Sequence, residues 1–263
     1  MKIPFYHVDA FAAGPFMGNP ATVCLLPKWL DEATLQAIAA EFNLRATAFV
    51  VKSAASHYEI RWFDAHSEKS SCGHATLAAA HILLNELKIE QNIIKFVNFT
   101  NEITVNKQGA EISLTAKAIE MRFSPAPKLL SQTLNIIVKE AYQTNEQTIL
   151  IIDDPQRIKE LTPSFHKLVD FDKRAFIVTA ASKKADFVFR YFTPNAIFKE
   201  DPITGTALYI LTPYWAKKLN KQKLLAEQLS ARGNLIPTEF NKNLVTIKGQ
   251  AYLFAEGKFN IPD

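Results

Sequence analysis

Two stretches of the chain share one pattern of apolar and polar positions. In the first, Ala48-Phe49-Val50-Val51 is followed by Ser53-Ala54-Ala55-Ser56 and then Arg61-Trp62-Phe63. In the second, Ala175-Phe176-Ile177-Val178 is followed by Thr179-Ala180-Ala181-Ser182 and then Arg190-Tyr191-Phe192. The alternation of Phe49 and Val51, and of Tyr58, Ile60 and Trp62, with other side chains predicts adjacent half-buried strands in each copy, joined by the small polar segment. Each pair then leads through a polar loop into a Gly-x-Ala segment, Gly73-His74-Ala75 or Gly205-Thr206-Ala207, that opens an apolar run. Residues 74–87 and 206–211, the latter continuing into Thr212-Pro213-Tyr214-Trp215, are apolar nearly all round. That pattern predicts helices enclosed by the strands of their own half.

Amphipathic helices are expected upstream of each pair. One spans 29–42, with Leu35, Ile38, Ala39 and Phe42 on a face; the other spans 156–169, where Pro163 is a potential break. Downstream, 102–105 and 111–114 flank Lys107-Gln108-Gly109, and 245–247 and 252–254 flank Lys248-Gly249-Gln250, so both read as hairpins. The prolines of Ser124-Pro125-Ala126-Pro127 break helix and strand alike. They divide the chain into an N-terminal lobe, 1–122, and a C-terminal lobe, 123–263, with the last strand free to return to the first lobe.

Composition narrows the function classes. A chain of 263 residues, 48% hydrophobic and 21% charged, has enough apolar material for two cores. A net charge of +4 without a basic block argues against nucleic acid. Two cysteines, Cys24 and Cys72, make no disulfide framework, which favours a reducing compartment. The first apolar run contains Asp9, unlike a signal peptide, and no run of about 18 apolar residues exists to span a membrane. A cytoplasmic protein is expected. His66, Cys72, His74 and His81 fit no standard metal spacing, and no nucleotide-binding or zinc-protease motif occurs, so neither metal nor cofactor is expected.

The two helix starts carry the candidate chemistry. A helix N-terminus offers unpaired N–H groups and partial positive charge, and Gly73 and Gly205 allow a ligand close to the backbone. If the halves are related by a pseudo-twofold axis, both starts can face one cleft suited to a small carboxylate. His74, Asp201 and the Thr206 hydroxyl are then polar groups at its rim. Read singly, each has a plainer role: His74 as a hydrogen-bonded helix-start residue, Asp201 as a turn former before Pro202, Thr206 as a cap, Cys72 as a small buried hydrophobe.

Several segments fall in one familiar order. They are Phe11, Gly18-Asn19-Pro20-Ala21, Asn43-Leu44 through Thr47-Ala48-Phe49-Val50, Arg61-Trp62-Phe63, Cys72-Gly73-His74-Ala75-Thr76-Leu77 and Glu200-Asp201-Pro202-Ile203-Thr204-Gly205-Thr206-Ala207. Pro213-Tyr214-Trp215-Ala216 and Leu229-Ser230-Ala231-Arg232-Gly233 extend the match. In these the chain resembles the PhzF-type phenazine-biosynthesis family, within the diaminopimelate-epimerase-like superfamily. The resemblance implies an α+β fold of two lobes, each a sheet curled around a central helix. It also implies a cofactor-independent isomerase, a site between the lobes, and a homodimer. The family's characterised reaction moves a proton within a cyclic hydroxy-dihydroaromatic carboxylate by means of an acid/base glutamate. By the same resemblance the site histidine is His74, the site aspartate Asp201, the hydroxyl position Thr206 and the turn asparagine Asn19.

One position departs from the pattern. The family's Asn-Leu-Ser-Glu-Thr is here Asn43-Leu44-Arg45-Ala46-Thr47, so Ala46 stands where the glutamate belongs and Arg45 where the serine does. Three readings stay open. The chain is an isomerase or epimerase of a small cyclic or amino carboxylate that uses His74 and Asp201; or it binds a small anionic metabolite, strengthened by Arg45, with catalysis impaired; or it is a structural dimer without a ligand.

Overall fold

The computed structural model describes residues 1–99, 102–171 and 175–261. The chain forms two compact units, one of Met1–Ala116 with Thr246–Asp263, the other of Lys117–Val245. The chain thus leaves the first unit a few residues before the Pro-rich stretch at 124–127, and it comes back for the last strand. No helix among the described residues is long and apolar enough to cross a membrane.

In the first unit the strands run in the order Ala251–Asn260, Lys2–Ala10, Asn19–Leu26, Thr47–Lys52, His57–Phe63, Ile93–Val97, Glu102–Gln108 and Glu111–Lys117. Two neighbouring pairs are parallel: Asn19–Leu26 with Thr47–Lys52, and His57–Phe63 with Ile93–Val97. Parallel pairing needs a crossover element. The first crossover is the helix Glu32–Phe42, begun by Asp31, whose carboxylate accepts from the Thr34 N–H. The second is the helix Gly73–His81, prolonged by a π-helical turn at Ile82–Glu86.

Strands covered on both sides read as unbroken apolar runs, and Ala48-Phe49-Val50-Val51 is one. Phe49 and Val51 face Leu35, Ile38 and Ala39 of the outer helix. Alternation turns Ala48 and Val50 the other way, toward the Gly73 helix, whose alanines 75, 78, 79 and 80 let strands approach closely and are themselves fully buried.

The second unit repeats the plan. Its order is Arg122–Phe123, Glu140–Gln143, Gln147–Ile151, Ala175–Ala181, Phe187–Phe192, Lys223–Gln228 and Leu235–Asn241. The same two positions are parallel. The outer crossover is split, as Pro163 foreshadows, into Pro155–Lys159 and Phe165–Leu168. The inner crossover is the helix Gly205–Leu219, where Trp215 stacks on Phe187 and donates its indole N–H to Thr179 Oγ1 at 3.0 Å.

Two expectations need correcting. Thr179-Ala180-Ala181 are not the joining loop but the end of the strand Ala175–Ala181, because Thr179 pairs with Phe189 and its hydroxyl donates to the Val188 carbonyl. The segments about Lys248-Gly249-Gln250 are no hairpin. Leu244–Gly249 and Ala251–Asn260 are separated by Gln250 alone, too short for a hairpin turn, and the later strand pairs with Lys2–Ala10. By contrast, Glu102–Gln108 and Glu111–Lys117 are a hairpin, with Gly109 at φ +63° in its turn.

A shared clasp fixes the loop before each central helix. Arg61 donates from Nε and Nη2 to the two carboxylate oxygens of Glu68 (2.7 and 2.6 Å), and Arg190 does the same to Glu200 (2.6 and 2.7 Å). Each guanidinium also lies over the ring of the residue two positions on, Phe63 or Phe192. Such bidentate pairs are directional as well as strong.

Gly18 closes the turn before Asn19. It has φ +75°, and a Cβ there would meet the Ala10 carbonyl oxygen at 2.4 Å. Gly18→Ala is expected to lower the unfolding free energy by about 1–3 kcal/mol from backbone strain, with the clash adding to it. Urea denaturation measures this; an unchanged midpoint would show that the turn relaxes.

Candidate functional site

The start of the Gly73 helix lacks a side-chain cap. Cys72, in the capping position, is extended and makes no capping bond; its carbonyl instead accepts from both the N–H and the hydroxyl of Thr76. The leading N–H groups of such a helix have no intrahelical acceptor. His74 sits one residue inside, buried, with Nδ1 3.6 Å from Cys72 Sγ. Burial, then the charges of Arg45 and Lys69, push its pKa down to about 3. The imidazole is therefore neutral throughout the physiological range.

Arg45 reaches this neighbourhood because the outer helix ends at Asn43, which adopts φ 49° and turns the chain back toward the sheet. The next segment is tied down by the Thr22 N–H, which donates to the Ala46 carbonyl at 3.1 Å. Ala46 is fully buried. Asn19 is also fully buried and lies opposite Ala10 in the strand pair that Gly18 introduces. Asn19, Arg45, Gly73 and His74 thus belong to the first unit, and the structure brings Arg45 within electrostatic reach of His74.

Asp201, Gly205 and Thr206 belong to the second unit. Asp201 lies in the short strand Glu200–Asp201, held by the Arg190 clasp, and Oδ2 accepts from the Thr204 hydroxyl at 2.8 Å. Thr204 is the capping residue, yet its side chain makes no cap bond to the helix, so this start also offers its backbone donors. Gly205 is buried and Thr206 half-buried in the first turn.

One residue here escaped the sequence reading. Gln228, buried, accepts from the Thr204 N–H at 2.7 Å and donates to the Asp201 carbonyl at 2.5 Å. Its signal was available: Leu224, Ala226 and Gln228 occupy the buried phase of one alternating strand, so a polar side chain falls where a core residue belongs. Ser230 completes the lock by donating to the Pro202 carbonyl. Among the described residues no three His, Cys, Asp or Glu side chains are grouped to hold a metal ion.

The repeat aligns Asp201 with Lys69, since each follows the glutamate of its clasp. The two helix starts are therefore chemically unlike: one adjoins a carboxylate, the other a lysine and a neutral imidazole.

The family model for phenazine biosynthesis-like proteins, PhzC-PhzF, matches residues 8–257. The chain belongs to this family. An uncharacterised isomerase of Pseudomonas aeruginosa is 39% identical over 99% of this chain and 100% of its own. A phenazine biosynthesis-like domain-containing protein of Bos taurus is 33% identical over 98% of this chain and 99% of its own. A crystal structure of a PhzF-family protein from Enterococcus faecalis superposes with a TM-score of 0.92 at 38% identity, covering 99% and 100% of the two chains. A hydroxyproline epimerase from Agrobacterium vitis shares the fold alone, with a TM-score of 0.67 at 8% identity, covering 98% of this chain and 92% of its own. The fold is the diaminopimelate-epimerase-like α+β fold. Ala46 lies in a buried spot whose backbone is pinned by the Thr22 N–H.

Proposed function

We propose that this protein is a cofactor-independent isomerase or epimerase of a small cyclic or amino carboxylate, acting by proton transfer. The reading rests on one observation: the same uncapped glycine helix start is built twice, once with a buried neutral imidazole and once with an anchored carboxylate. The isomerase names of its relatives support it.

The helix-start N–H groups bind the substrate carboxylate. Asp201 removes the proton from carbon, its orientation fixed by the Thr204 hydroxyl. His74, being neutral, donates a hydrogen bond to the oxygen on which negative charge develops. Asp201, now protonated, returns the proton to another carbon or to the opposite face, and the enzyme ends as it began. Asn19, Arg45 and Thr206 hold the substrate.

Ala46 favours a second reading. An alanine carries no proton, and Arg45 beside it adds a cation, a combination suited to binding an anion without turning it over. Incubating the protein with a dihydro-hydroxy aromatic acid in deuterium oxide separates the two. Deuterium at ring carbon, seen by NMR, is the expected result. Ligand-induced thermal stabilisation without exchange would overturn the isomerase in favour of the binder.

A further inference from the structure

Gln228 closes a ring of hydrogen bonds around the loop that carries Asp201. Its Oε1 accepts from the Thr204 N–H at 2.7 Å, and its Nε2 donates to the Asp201 carbonyl at 2.5 Å and to Thr204 Oγ1 at 3.3 Å. A carboxamide has two N–H donors, so both are engaged. The Thr204 hydroxyl has one proton, and it goes to Asp201 Oδ2 at 2.8 Å. Gln228 is 1% exposed, and at that depth any member of the ring left unmet is costly.

Thr204 holds the capping position of the helix Gly205–Leu219, where a threonine oxygen ordinarily accepts from the N–H of Thr206 or Ala207. Here it makes no such bond. The hydroxyl is turned to Asp201 and Gln228 instead, and the helix start stays open.

The other unit repeats the device. Tyr58 and Phe187 each lie three residues before a clasp arginine, and their partners on the next strand are Phe96 and Ala226. Two residues beyond those partners stand Asn98 and Gln228. The Asn98 carboxamide also donates to the loop before its helix, to the Ser70 carbonyl at 3.1 Å. An amide side chain thus reaches back from the same place in both copies. Only the second copy has a hydroxyl in the capping position; the first has Cys72.

We infer that Gln228 is a positioning residue of the candidate site, holding the Thr204 hydroxyl on the Asp201 carboxylate and off the helix start. Two properties then depend on one side chain: a carboxylate aimed by its hydroxyl donor, and a helix start left free for an anion. Without Gln228, Thr204 rotates to cap the helix, which stabilises the helix end, and both properties are lost together. The kinetic consequence rests on the proton-transfer reading; the geometry does not.

Two variants of the full chain test this, with circular dichroism confirming that each is folded. Gln228→Leu, similar in size, removes every bond of the ring. Gln228→Glu makes the ring depend on pH. Protonated, the new carboxyl accepts from the Thr204 N–H and donates to the Asp201 carbonyl; ionised, it has no donor and faces a carbonyl oxygen. Three-bond couplings measured by NMR report the Thr204 rotamer without any substrate. The wild type should hold one rotamer, Gln228→Leu should adopt another, and Gln228→Glu should pass from the first to the second as pH rises. With a dihydro-hydroxy aromatic acid, kcat of Gln228→Leu should fall about 10²-fold, the cost of a small misplacement. For Gln228→Glu, the ratio of its kcat to that of the wild type should rise as pH falls. A wild type without turnover would bring down the isomerase reading, and the rotamers alone would then decide the role of Gln228. A Thr204 side chain that averages among rotamers in the wild type, or keeps the wild-type rotamer in both folded variants at every pH, overturns the inference. So does a changed rotamer in an active enzyme whose kcat is unaffected.

Discussion

The double variant Arg45→Ser/Ala46→Glu is expected to turn over a dihydro-hydroxy aromatic acid about 10²–10⁴-fold faster than the wild type, the range that one positioned acid/base contributes. Position 46 suits a carboxylate for a geometric reason. Its backbone carbonyl is fixed by the Thr22 N–H. Ala46 is fully buried and immediately precedes the strand Thr47–Lys52, whose Ala48 and Val50 turn toward the Gly73 helix. Burial there raises a carboxyl pKa toward neutrality, where a group both takes and returns protons.

Arg45 opposes this, because an adjacent cation favours the ionised form and weakens it as a base. Ala46→Glu alone should therefore gain less than the double change. Steady-state turnover of the wild type and both variants, with melting curves to confirm folding, decides the point. Wild-type turnover already equal to the double variant's would show that Ala46 is no lesion. Inactivity of both folded variants would mean that the pocket has diverged beyond this residue.

Asp201→Asn is expected to cost about 10²–10⁴-fold in kcat relative to whatever rate the wild type sustains. The substitution keeps shape and an acceptor for the Thr204 hydroxyl. The loop itself stays anchored by Gln228 and Ser230, which bond backbone atoms rather than the Asp201 carboxylate. Only the capacity to carry a proton is lost. A fall in kcat with KM unchanged is the signature of a group acting in the transition state. A rise in KM alone would recast Asp201 as a binding residue.

The doubled plan was legible because both copies write it in apolar periodicity. Ala48-Phe49-Val50-Val51 and Ala175-Phe176-Ile177-Val178 are strands covered on two sides, and the alanines after Gly73 could belong only to an enclosed helix. Pro163 likewise declared its break. What stayed hidden depended on partners far away in sequence. Thr179 looks like loop chemistry until Val188 and Trp215 occupy its hydroxyl. Tyr252 and Phe254 read as half of a hairpin because pattern gives a strand without naming its neighbour. At the candidate site, residue types at the helix starts could be named, but not that His74 is neutral. That state comes from burial and from Arg45 and Lys69, which only the folded chain brings near.

The return of the last strand to the first unit has a consequence for synthesis. Residues Lys117–Val245 form a contiguous unit that has all its strands once they have left the ribosome. The first unit, begun earlier, must wait. Its strand Lys2–Ala10 keeps one edge bare until Ala251–Asn260 emerges to pair with it, after which the Met1 ammonium donates to the Ile261 carbonyl and the Ile261 N–H to the Met1 carbonyl. The N-terminal half of a nascent chain thus carries an exposed strand edge for the whole time that the other half is being made, and that interval is when a chaperone would be needed.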